Sequence, residues 1–146
     1  AAMLVTVLFV GDALLQMPVG YLSDRMGSRF AHRFCGVSGA LLLLSLPWVV
    51  GTDWLWPHLA LLGGAAGGIY TLALVRAGER FRGQQLVAVN AMFGITWGLA
   101  SASGPLLSGT AMQYSGNNGL VLALLLCLGS FLLLLGREPR LAAQPA

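Results

Sequence analysis

The chain has 146 residues, 57% hydrophobic and 9% charged, with a net charge of +3. A soluble domain has roughly 45–50% apolar and about 25% charged residues, so an ordinary soluble enzyme, a disordered tail and a secreted disulfide scaffold are excluded. Mean hydropathy is +0.79, and at about 20 apolar residues per membrane span five spans fit the length. The first apolar run covers 3–23 and a polar, basic hinge follows at 24–33. The second run, 34–51, is interrupted near its end by Pro47. A link holding Trp54 and Trp56 leads to the third run, 57–75, and 76–85 is polar again. The fourth run is 86–112, 113–119 is a turn rich in Gly and Asn, and the fifth run, 120–136, is nearly all aliphatic. The tail, 137–146, carries two Pro and is expected to be disordered. The runs are too long, and apolar on too many sides, for membrane β-strands. The first is no signal peptide, lacking a basic leader and holding Asp12 at its middle. The expected fold is an all-α membrane protein of five transmembrane helices.

All eight basic residues are Arg, which with high Ala, Leu and Gly suggests a GC-rich bacterium. Arg25, Arg29 and Arg33 lie in the first hinge, Arg76, Arg80 and Arg82 in the third connection, and Arg137 and Arg140 in the tail. The second and fourth connections have none. By the positive-inside rule the arginine-bearing side is cytoplasmic and the Trp54/Trp56 link is outside, at an aromatic belt. The expected location is a bacterial inner membrane, multi-pass, with a cytoplasmic C-terminus. Five spans then put the N-terminus outside, with the chain starting abruptly in an apolar run. The simplest reading is a fragment lacking at least one upstream helix; a complete five-helix protein is the alternative.

The spans differ in polarity. The second and fifth are greasy and are expected at the periphery, while the first, third and fourth carry polar and small residues toward a wet interior. Asp12 and Gln16 are four apart and share a helix face. Gly63, Gly67, Tyr70, Thr71 and Leu74 form one stripe, and Asn90, Gly94, Trp97, Ser101, Gly104 or Pro105, and Ser108 form another. Asp12 lies eleven residues before Ser23, roughly 16 Å at 1.5 Å per residue, near the bilayer centre. A carboxylate there costs about 2.5–3.5 kcal/mol on insertion scales, so it binds a proton or substrate, or makes a structural hydrogen bond to a neighbouring helix. The stretch 63–68 has two overlapping GxxxG spacings, which let backbones approach closely. No GK[ST] follows it, so it is no phosphate loop. Pro18 and Pro105 bend their helices, and Gly104 and Gly109 flank the second bend. Cys35 and Cys127 read as packing residues. His32 in the cytoplasmic hinge and His58 near the outer face lie on opposite sides, which excludes a bis-His pair and leaves no Ser–His dyad at a common depth except with outer-face serines. No metal, cofactor, enzymatic activity or nucleic-acid partner is expected.

The hinge Gly20-Tyr21-Leu22-Ser23-Asp24-Arg25-Met26-Gly27-Ser28-Arg29 resembles G-x-L-[AS]-D-[RK]-x-G-[RK]-[RK], the signature of major facilitator superfamily transporters. It departs from the pattern only at Ser28. In that signature Gly20 allows close helix packing, Asp24 can sit at a neighbouring helix N-terminus, and Gly27 makes the turn. Ala100-x3-Gly104-Pro105-x2-Ser108-Gly109 is similar to a second family element, G-x3-G-P-x2-G-G, with Ala100 and Ser108 replacing glycines. The stretch 85–90 and the helix after it also look like the C-terminal part of YcaD-like transporters. The resemblance implies part of a six-helix half, as helices eight to twelve; two to six is the competing register. It implies a carrier that binds a small-molecule substrate at the midplane between two halves, inside a lipid bilayer and against a missing N-terminal half. Asp12, Gln16, Tyr70, Asn90 and Trp97 would face the cavity. Gly20, Asp24, Arg25, Gly27 and Arg29 would form a cytoplasmic gate. A membrane interaction or assembly subunit without transport is the alternative function.

Overall fold

The computed structural model describes residues 2–116 and 118–137. The five elements are α1 (Ala2–Met26), α2 (Ser28–Val49), α3 (Leu55–Arg80), α4 (Gln84–Ser115) and α5 (Asn118–Arg137). All five are long and apolar enough to cross a membrane. Helix is the physical solution for such segments, because a bilayer supplies no water to hydrogen-bond an open backbone.

Each helix overlaps one expected span, yet most run well past the apolar run. The hinge expected at 24–33 shrinks to Gly27, and the polar stretch 76–85 shrinks to residues 81–83. Arg, Glu and Gln are good helix formers, so charge ends an apolar run without ending a helix. A glycine marks every connection. Gly27, Gly51, Gly83 and Gly116 have positive φ values of 88°, 93°, 55° and 61°, one in each connection. Pro18, Pro47 and Pro105 all lie inside continuous helices, so Pro47 does not end α2, which reaches Val49. The tail expectation, with Glu138 and Arg140, lies outside the described residues.

Contacts fix the directions. Leu8 lies against Gly63 and Asp12 against Gly67, four residues apart on each helix, so α1 and α3 run in parallel. His32 Nε2 of α2 donates to Ile69 O of α3 (2.8 Å), and His58 Nε2 of α3 donates to Leu42 O of α2 (2.9 Å). Those two bonds make α2 and α3 antiparallel. Gly39 meets Leu128 and Gly36 meets Leu132, so α2 and α5 are also antiparallel. Successive helices therefore alternate, and the arginines from Arg25 to Arg137 gather at one end of the bundle.

The bundle is tightest where α1 crosses α3. A Cβ on Gly11 would overlap the Ala60 backbone, and one on Gly63 would overlap the Leu8 backbone. Gly64 seats Leu15, and Gly68 seats Cys35 and Val19. Ala31, Cys35 and Leu72 form the buried core, with Val19, Leu22 and Ile69 against it. The expectation of a peripheral second helix is corrected here. α2 buries Ala31, His32, Cys35, Gly36, Gly39 and Leu43 and packs on α1, α3 and α5. Helices in lipid pack through small residues rather than through hydrophobicity, so α2's small stripe outweighs its greasy composition. The reverse holds for α4, in which no residue is buried. It touches α3 lightly and meets α5 near the chain reversal, where Gly119 lies against Ala111.

Candidate functional site

Asp12 stands near the middle of α1 and is half-buried. Gln16, one turn on, donates from Nε2 to Asp12 Oδ1 at 3.1 Å. The carboxylate lies directly over Gly67 of α3, where any Cβ would run into it. Glycine spacing on α3 thus has a specific result. It creates a notch in which the mid-helix carboxylate sits on backbone rather than on another side chain.

One turn beyond that notch, Tyr70 leaves α3 on the side of α4. Its ring lies 5.3 Å from that of Trp97, tilted at 55°, and 6.3 Å from that of Phe93, edge-on at 82°. Tyr70 is 38% and Trp97 60% exposed, so the cluster is open on one side. Asp12, Gly67, Tyr70 and Trp97 all lie near the middle of their helices. The structure therefore joins four of the five expected cavity residues in two pairs, Asp12 with Gln16 and Tyr70 with Trp97, and α3 touches both. Asn90 stands apart. It is exposed on α4, seven residues before Trp97 and roughly 10 Å nearer the arginine-rich end.

The signature hinge is also placed. Gly27 is the whole connection between α1 and α2, and its N–H donates to Ser23 O at 2.9 Å. Arg25 lies over the Tyr21 ring, 4.9 Å from its centroid. Arg29 is in the first turn of α2 and lines a cavity at the arginine-rich end. Asp24 is exposed, and no side chain caps the N-terminus of α2. The capping role expected for Asp24 is thus not made within the described residues. A Cβ added at Gly20 would meet no atom within 4 Å, and the same is true of Gly104 and Gly109. Within the described residues these three positions are open. Close packing falls instead to Gly11, Gly63, Gly64 and Gly67.

His32 is a further correction. It lies not in a loop but inside α2, 3% exposed, bonded to Ile69 O and with its ring 5.5 Å from that of Phe131. The helix simply starts earlier than the apolar run. Among the described residues no cluster of His, Cys, Asp or Glu could hold a metal ion. Cys35 and Cys127 are free thiols, the first buried and the second exposed. Sequence reasoning missed the two histidine bonds between α2 and α3. It also missed that Arg29, Arg76 and Arg80 line one cavity, because Arg76 and Arg80 read only as markers of topology and Arg29 only as part of the hinge. The spacing of Arg76 and Arg80, one helical turn apart, was the available signal.

Comparison with known proteins identifies the family. The chain is 30% identical over 126 residues to an uncharacterized MFS-type transporter of Enterobacter sp. (strain 638), covering 84% of this chain and 31% of that protein. It is 28% identical over 133 residues to the uncharacterized MFS-type transporter YcaD of Escherichia fergusonii, covering 89% of this chain and 33% of that protein. The YcaD protein of Shigella flexneri serotype 5b is 30% identical over 132 residues, covering 88% and 32%. The chain thus spans about a third of the length of these curated relatives. No solved structure matches it. The family model of the Major Facilitator Superfamily matches residues 1–146, and with its five apolar helices this chain is a multi-pass membrane protein that belongs to that superfamily.

Proposed function

We propose that the chain supplies helices eight to twelve of a secondary active transporter that moves a small solute by alternating access. The remaining helices of the carrier would complete the binding cavity, in keeping with the third of each relative that this chain spans. The observation that carries the reading is Asp12, a mid-helix carboxylate bonded to Gln16 and seated on Gly67. Carriers of this kind bind substrate and coupling ion near the bilayer midplane. An ionisable side chain at that depth is costly and by default marks a proton or substrate site. Tyr70 and Trp97 add an aromatic wall one turn away, and Asn90 lines the path toward the arginine-rich end. That end faces the cytoplasm of a bacterial cell, with the membrane being the inner one and the C-terminus inside. The superfamily is one of transporters, which favours a carrier over an enzyme or a non-transporting subunit.

Asp12→Asn tests the proton reading. Asn keeps the size and can still pair with Gln16, so the protein folds, but the group no longer titrates. Uptake or efflux in vesicles loses its pH dependence; an unchanged pH profile removes Asp12 as the proton site. The hinge Gly20, Asp24, Arg25, Gly27 and Arg29 is the gate that holds one access state. Asp24→Ala therefore slows turnover several-fold while equilibrium substrate binding stays the same, and an unaltered turnover rate rejects the gate.

A further inference from the structure

α1 and α4 both pack on α3 and make no contact with each other among the described residues, so a cleft runs between them with α3 as its floor. Gly67 and Tyr70 mark its two sides. They are three residues apart, roughly 4.5 Å along α3 and about 60° around it. Asp12 of α1 sits over Gly67, and Phe93 and Trp97 of α4 lie beside the Tyr70 ring. One carboxylate and a wall of three rings thus flank the same side of α3. Gln16 engages Asp12 Oδ1, and Oδ2 makes no hydrogen bond among the described residues. Asp12 lies fourteen residues before the end of α1, roughly 21 Å. Arg33 and Arg76, the described arginines farthest inside a helix, lie five and four residues from their helix ends, roughly 8 and 6 Å. No described arginine therefore shares the depth of Asp12.

We propose that this cleft selects an organic cation with an aromatic or apolar body as the carrier's substrate. The inference rests on the carrier reading above and adds the class of solute. Charge sets the sign. A carboxylate away from bulk water, with no guanidinium at its depth, gains most from a positively charged guest that acts as its counter-ion. An anionic solute would bring a second negative charge to the same point. The rings set the shape. The faces of Trp and Tyr attract cations through their quadrupoles, and flat apolar groups stack on them. Trp97 is more than half exposed, so its ring is open to a guest. A polyhydroxylated solute would need a denser set of hydrogen-bonding groups than Asp12, Gln16 and the Tyr70 hydroxyl supply.

The test is equilibrium binding to the purified protein, in the longest form its gene encodes. Tetraphenylphosphonium is the probe, and tetraphenylborate, of the same shape and opposite charge, is its counterpart. Each is followed by equilibrium dialysis in detergent against protein-free micelles. Tetraphenylphosphonium binds, and tetraphenylborate binds at least about tenfold more weakly. Asp12→Asn weakens phosphonium binding by about tenfold or more. Trp97→Ala weakens it by about fivefold, and Trp97→Phe recovers most of that loss because a ring remains. Trp48→Ala, which removes an exposed ring on α2 outside the cleft, leaves it unchanged. The fold tolerates these changes, since Asn still pairs with Gln16 and Trp97 is not part of the buried core. Equal affinity for the two ions overturns the proposal, as does wild-type affinity in Trp97→Ala. A Trp48→Ala loss equal to that of Trp97→Ala also overturns it, since binding would then be general partition onto exposed rings. The measurement involves no turnover, so its failure leaves the carrier reading standing with another class of solute. An unchanged pH profile in Asp12→Asn leaves the cation site standing.

Discussion

Helices α3 and α4 carry similar small and polar side chains and occupy opposite surroundings. α3 buries Leu59, Gly63, Gly64, Ala65, Gly68, Leu72 and Ala77, whereas α4 buries none of its 32 residues. Gly63 and Gly67 are filled by the backbone of Leu8 and the carboxylate of Asp12, while Gly94, Gly98, Gly104 and Gly109 meet nothing within 4 Å. A stripe of small residues is therefore a capacity for close packing, and a partner helix decides whether it is used. Within this chain α1 uses the stripe on α3. The stripe on α4 is left facing outward, on the side where Trp97 is exposed.

Substitutions at matched positions break or sharpen this contrast. The largest effect is expected at Gly67. Gly67→Leu must expel the Asp12 carboxylate and part α1 from α3, and overpacking of this kind destabilises by about 3 kcal/mol. A lowered thermal midpoint and loss of cysteine cross-linking between α1 and α3 would register it; an unshifted midpoint would show that the crossing is loose. His32→Ala comes next. It removes a buried bond to Ile69 O and the contact with Phe131, worth about 2 kcal/mol together, and leaves that carbonyl with only its helical partner. Thermal unfolding in detergent measures it. Gly104→Ala is the smallest and has the opposite sign. With open space around it, the added methyl stabilises the helix by about 0.5–1 kcal/mol and leaves folding intact. Loss of transport in that folded variant would show that another surface closes on α4.

Much of the α1–α3 region could be read from residues alone, because its signals are local. Asp12 and Gln16 are one turn apart, and the bond between them needs only a helix. The spacing of Gly63 and Gly67 likewise announces a close neighbour. The neighbour's identity did not follow, and neither did the central position of α2. Hydropathy cannot rank burial inside a bilayer, since lipid tails and packed helices are equally apolar. The informative signal in α2 was size: Ala31, Cys35, Gly36 and Gly39 share one side at helical spacing. Helix ends were misjudged at both basic hinges for a related reason. Hydropathy reports where lipid ends, and glycines with positive φ report where the chain turns between helices. His32 was misplaced by that difference alone.

The two histidine bonds between α2 and α3 have a mechanical consequence. His32 pins α2 to Ile69 and His58 pins α3 to Leu42, at points ten residues apart on α2, or roughly 15 Å. Two rivets at separate heights fix registration as one cannot. A slip of one helical turn, about 5.4 Å, would shear both imidazoles from their carbonyls at once. The hairpin therefore travels as one beam, and compliance in this part of the molecule is left to α4, which has the fewest attachments.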